Sequence, residues 1–115
     1  MSLLQCRSVV AVKAGQWEAA KEVASEQVRD ANQRPGTLVY EIYVDEPAHR
    51  LVQMAVYRDA EGWLSHSRSN PHAARYMTMV DLVSLEVHGD ATPELKEILA
   101  GFGAAVILPS VSVTD

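Results

Sequence analysis

The sequence predicts an α+β fold of split β-α-β kind, on three observations. TLVYEIYVD (37–45) and VDLVSLEVH (80–88) alternate along the chain, as half-buried strands do. QWEAAKEVASEQVRDANQR instead repeats Trp17, Ala20, Val23, Ala24, Val28 and Ala31 at helical spacing, with charges on the other side. RLVQMAVYR (50–58) follows the first alternating stretch after only Glu-Pro-Ala-His, a connection that implies an antiparallel hairpin.

Taken in order, CRSVVAVK (6–13) is apolar and β-branched and reads as the first strand. Gly15 opens the helix, and Arg34-Pro35-Gly36 ends it, because the residue before proline is driven out of the α region. The hairpin 37–58 follows. Asp59 is an N-cap for short helical pieces, and Asn70-Pro71 reads as N-cap and first residue of the second piece. Met77 and Met79 precede the strand 80–88 and read as core filler. Thr92-Pro93-Glu94 starts a helix with Leu95, Ile98, Leu99 and Phe102 on one stripe; Gly101 and Gly103 stop it, and AAVILP (104–109) is a last short strand.

The order β-α-β-β-α-β plus a helix and strand is the ferredoxin-like arrangement, expected as one domain over 1–115 with a core at 6–88, an extension at 89–109 and a tail at 110–115. Helices on one face leave the other bare. Apolar residues on both faces of the strands therefore predict a homodimer closed across the sheets.

The 115 residues are 48% hydrophobic, enough for a core, and carry a net charge of −5. Without a basic face, nucleic-acid binding is not expected. No apolar run reaches the ~20 residues that span a bilayer. Cys6 is the sole cysteine, so no disulfide forms within the chain. Met-Ser-Leu-Leu-Gln before it lacks the charged and apolar regions of an export signal, which points to a cytoplasmic protein.

The start Ala14-Gly15, the run Pro35-Gly36-x-Leu38-x-Tyr40-Glu41, and Tyr57-x-Asp59 followed seven residues later by His66 resemble the antibiotic biosynthesis monooxygenase domain. The resemblance runs from Val9 to His88. It implies a dimeric α+β barrel and, for members that are enzymes, oxidation of phenols, quinols or anthrone-like polyketides by O2 with no metal or flavin cofactor. Where this group commonly carries Glu-x-Trp at the end of the third strand, this chain has Ala55 and Tyr57. A mechanism resting on that carboxylate therefore does not transfer.

The resemblance makes His66 the candidate base, an imidazole of ordinary pKa able to take a phenolic proton. The alternative is a helix-end histidine making a local hydrogen bond. Tyr57 is a candidate to hold the substrate's oxygen, or else a sheet aromatic with its hydroxyl in water. Trp63 offers a wall for a planar substrate or core packing. Tyr76 and Arg75 are placed to line a pocket mouth, whereas Tyr40 shares an apolar face and reads as core. His72, in the first turn of the next helical piece, is either a substrate contact or a solvated polar residue. His66 and His72 are six residues apart across a proline break rather than at the i, i+4 spacing of helical ligand pairs, so no metal site is expected. Ser84, Glu86 and His88 form a polar stripe, while Arg58, Asp59 and Glu61 read as a solvated charge cluster.

The expected function is a cofactor-independent monooxygenase acting on a small apolar aromatic with O2. A non-catalytic dimeric ligand-binding or interaction module is the alternative. Haem degradation, suggested by Trp63 and His72, falls behind because the first strand lacks the asparagine that such enzymes carry.

Overall fold

The computed structural model describes residues 3–103 and 105–111. Five strands, β1 (Leu4–Val12), β2 (Thr37–Asp45), β3 (Arg50–Tyr57), β4 (Val80–His88) and β5 (Ala105–Leu108), form one sheet in the order β2-β3-β1-β4-β5. Four helices accompany it: α1 (Trp17–Ala31), α2 (Ala60–Ser69), α3 (Ala73–Met77) and α4 (Pro93–Ala100). The first four strands pair antiparallel, as the ferredoxin-like reading requires. The extension adds β5 parallel to β4, with α4 as the crossover. Ala104 and the end of the expected tail, 112–115, lie outside the described residues.

The core lies between the sheet and its helices in two clusters. One gathers Leu4, Cys6, Tyr40, Ala55, Tyr57 and Leu64 with Leu95 and Leu99 of α4. The other gathers Val10, Ala20, Ala24, Leu51 and Val80. The β1–β4 register shifts between Val9 and Val10, which keeps Val80 and Leu82 on the helix side although β4 carries an extra residue there.

The opposite face is bare. It presents exposed Val39 and Tyr43 on β2 and exposed Val106 and Leu108 on β5. Between these apolar flanks the register brings Arg7 beside Glu86, whose carboxylate bonds His88.

Several elements differ from expectation for local reasons. α1 stops at Ala31, before Arg34, because the Asn32 amide donates to the carbonyls of Val28 and Tyr40 (both 2.9 Å) and accepts from Tyr40 N–H at 3.1 Å. The α3 N-cap is His72, not Asn70; the Asn70 side chain instead accepts from His72 N–H and closes a turn through Pro71. Met77 is not core filler: it is 47% exposed on a helix with no buried residue, while Met79 packs on the second cluster. Asp59 caps α2 as expected, accepting from Gly62 N–H at 3.0 Å, so it belongs to the helix start and not to a free charge cluster.

No helix among the described residues is long and apolar enough to cross a membrane.

Candidate functional site

Tyr57 ends β3 opposite Leu4 on β1 and Thr37 on β2. Two residues later the chain turns into α2, which is held down on the start of β2 by a glycine contact. A Cβ on Gly36 would lie 2.7 Å from Gly62 Cα, and one on Gly62 would lie 2.6 Å from the Gly36 carbonyl oxygen. Only glycine at both positions lets the backbones come this close. Seated so low, α2 turns Leu64 and His66 into the core rather than into solvent.

His66 is 6% exposed. Its ring centroid stands 5.1 Å from that of Tyr40 and 6.1 Å from that of Tyr57. The floor under these rings is the cross-strand row Tyr40, Ala55 and Cys6, in which Ala55 is the small member. A glutamate at 55, the residue type the family resemblance carries there, would place a carboxylate among buried aromatics.

Burial sets the protonation of the whole cluster. It pushes the His66 pKa down to about 4, helped by the Arg34 charge and opposed by Asp30. The imidazole is thus neutral at pH 7 and a weaker base than the ordinary imidazole expected from the sequence. Burial raises Tyr57 far above the usual phenol range, and the neighbouring Tyr40 and Cys6 act the same way. Tyr40 rises to about 12, with Gln53 opposing, and burial takes the Cys6 thiol to about 12. His66, Tyr57, Tyr40 and Cys6 are thus all uncharged at neutral pH.

Four buried side-chain polar atoms lack a hydrogen-bond partner among the described residues: Arg34 Nε, Thr37 Oγ1, Tyr57 Oη and His66 Nδ1. Buried polar atoms are satisfied in the great majority of cases, and each exception costs about 1–3 kcal/mol. All four belong to one corner, bounded by the end of α1, the start of β2, the end of β3 and α2. The reading of Tyr57 with its hydroxyl in water is therefore corrected: the residue is fully buried, because α2 covers the strand exit.

The other expected residues surround this corner without entering it. Trp63 is half-buried against the first core cluster and Tyr76 against the second. The His72 ring is not solvated; it bonds Asp30 at 2.7 Å and lies 3.4 Å from Glu26, both on α1. Arg75 pairs with the same Glu26 at 3.1 Å. Arg34 and Thr37 had no local signal in the sequence, because they flank Gly36, whose contact with Gly62 is what brings this turn against α2.

A separate groove of about 270 Å³ opens between α1 and the β2–β3 hairpin, lined by Lys21, Ala24, Ser25, Val28, Ile42, Val44 and Leu51. It lies along the same seam as the corner, with Tyr40 intervening on β2. No histidine, cysteine or carboxylate lines it.

Neither a protein-family model nor a curated protein matches the chain. Solved structures do. MupZ from Pseudomonas fluorescens is 18% identical with a TM-score of 0.77, over 100% of this chain and 95% of its own. A structure described as an antibiotic biosynthesis monooxygenase is 18% identical with a TM-score of 0.67, over 78% of this chain and 99% of its own. A candidate antibiotic biosynthesis monooxygenase from Chloroflexus aurantiacus is 16% identical with a TM-score of 0.65, over 75% and 90%. The chain resembles this group and has its fold; a shared fold does not by itself fix the chemistry.

Proposed function

We propose that the protein is a cofactor-independent monooxygenase that oxidises a small phenolic, quinol or polyketide-like aromatic with O2, acting as a cytoplasmic homodimer joined through the bare sheet face. The observation that carries this reading is the pair of buried, unpartnered atoms His66 Nδ1 and Tyr57 Oη within one aromatic cluster. A neutral imidazole has one ring nitrogen free to accept a proton, and the hydroxyl of a high-pKa tyrosine donates without losing its own.

In this reading His66 takes the acidic proton of the substrate. It is a weak base alone, but the anion formed beside it favours the imidazolium, so proton and charge stay paired in a dry site. The electron-rich anion passes an electron to O2, and the two radicals combine. For an anthrone-type CH2, the balance is CH2 plus O2 giving C=O plus water: the substrate supplies all four electrons, which is why the reading calls for no cofactor. Tyr57 donates to the oxygen on which charge develops. Trp63, packed on the first core cluster, is the aromatic wall of the substrate's site, Tyr76 backs it from the second cluster through Tyr40, and His72 acts from outside by holding α3 on α1.

The purified protein is expected to consume O2 with an anthrone or quinol in the absence of added metal. His66→Ala should slow this by about 10²-fold, the scale of a lost general base. Full activity in that variant removes His66 from the chemistry. The groove favours a second reading, a non-catalytic module binding an apolar ligand between α1 and the hairpin. Ligand-induced thermal stabilisation without turnover across a panel of phenols is the result that selects it.

A further inference from the structure

We infer that Arg34, Thr37, Tyr57 and His66 form one buried site for an anionic oxygen, and that the substrate is held there as its phenolate or enolate. The inference rests on the monooxygenase reading for the identity of the substrate, while the site itself stands on contacts that do not depend on turnover.

The decisive residue is Arg34. It follows α1, and its outer nitrogens are engaged on the end of α2: Nη1 donates to Ser69 Oγ at 2.5 Å and Nη2 to the Ser69 carbonyl at 3.0 Å. Nε is left buried and unpartnered. No carboxylate is paired with this guanidinium among the described residues, although the chain has 15 acidic side chains against 10 basic ones. Asp30, one turn earlier on α1, is already bonded to His72. A cation with a buried, unsatisfied N–H asks for an anion to complete it.

The other three atoms complement it. Thr37, Tyr57 and His66 are each more than nine-tenths buried. Thr37 and Tyr57 are cross-strand partners, so their side chains leave neighbouring strands on one face of the sheet. Arg34 acts electrically on His66, and the Thr37 N–H is bonded to the Arg34 carbonyl at 3.1 Å. Two hydroxyls, an N–H of fixed charge and an imidazole nitrogen are suited to an oxygen that gives up its proton to the imidazole and keeps its charge near the guanidinium. A neutral ether or ketone would leave the guanidinium without its counter-charge. The acidity of the substrate's hydroxyl, more than its ring size, is then what the corner selects.

The test uses 4-nitrophenol, a phenol whose ionised form alone absorbs in the visible. Wild type is expected to bind it as the anion and to lower its apparent pKa by about 1 unit or more, the scale set by a neighbouring opposite charge. Arg34→Gln should abolish most of that shift and weaken binding of the anion about 10-fold or more. Thr37→Val, which removes only a hydroxyl, should weaken it several-fold, so the site stays testable if Arg34→Gln does not fold. Ser69→Ala, which loosens the outer anchor of Arg34 but spares Nε, should leave the bound dye ionised. The proposal is overturned if wild type binds only the neutral phenol or binds neither form, or if Arg34→Gln folds and ionises the dye as wild type does. An intact dye shift without O2 consumption would sink the monooxygenase reading and leave the site standing. O2 consumption that survives Arg34→Gln and Thr37→Val unchanged would do the reverse.

Discussion

The corner around His66 and the groove beside α1 lie along one seam of the molecule and are built on opposite terms. The groove has room, about 270 Å³, and an apolar lining whose one charge, Lys21, is already paired with Glu18 at 3.1 Å. The corner is instead lined by buried Thr37, Tyr57 and His66, and it holds four unpartnered polar atoms and the pKa shift of His66. A gap beside an edge strand forms at little cost, because β2 has no further strand to bring side chains over it; Leu38 and Val44 are 45% and 53% exposed there. Unsatisfied buried atoms are costly and persist where something other than packing retains them. The contrast teaches that here the volume of a cleft is a poorer guide to chemistry than unmet hydrogen bonds.

The contrast can be broken by substitution. The largest effect is expected in the corner, at His66, as given above for O2 uptake. Next comes the contact that closes the corner: Gly36→Ala or Gly62→Ala should cost about 1–3 kcal/mol in urea unfolding, since the added carbon meets backbone that cannot turn aside. Tyr57→Phe sharpens the comparison further, because it separates stability from function. Removing an unpartnered buried hydroxyl should leave the fold as stable as wild type or more so, by up to about 1–3 kcal/mol, while turnover falls. Loss of both together would mean the hydroxyl is satisfied in solution.

The pH dependence has a definite sign. His66 has a folded-state pKa near 4 against 6.5 when exposed, so the unfolded chain binds the proton more readily. The resulting stability is complete above about pH 6.5 and is lost as pH falls from there towards 4. His66→Leu should flatten the difference in thermal midpoint between about pH 7 and pH 5, other groups being common to both proteins. The smallest effect belongs to the groove: Val44→Ser at its exposed rim should change turnover by no more than about 2-fold and stability by no more than about 0.5 kcal/mol.

The sequence made the fold legible where local patterns decide it. The alternation of 37–45 and 80–88, the helical stripe from Trp17 to Ala31 and the Thr92-Pro93 start all became the elements they announce. It misled where burial is decided by neighbours far along the chain. Leu38 and Val44 carry the same pattern as Tyr40, but only Tyr40 lies under a helix. Met77 lies in a helix too short to bury anything. Half of the corner, His66 and Tyr57, was legible through the family resemblance. Arg34 and Thr37 were not, because Gly36 and Gly62 look like ordinary turn and helix-start glycines until their backbones are seen to touch.

The central claim is that a phenolic substrate meets the corner and not the groove. Its most direct test is an NMR titration of the protein with a phenol, following the His66 ring nitrogens beside the methyl groups of Ile42 and Leu51. The account predicts that His66 Nδ1 shifts with the ligand and approaches the imidazolium state as the complex forms, while the two methyl groups move little. Methyl shifts at Ile42 and Leu51 with His66 unmoved would contradict it and assign binding to the groove.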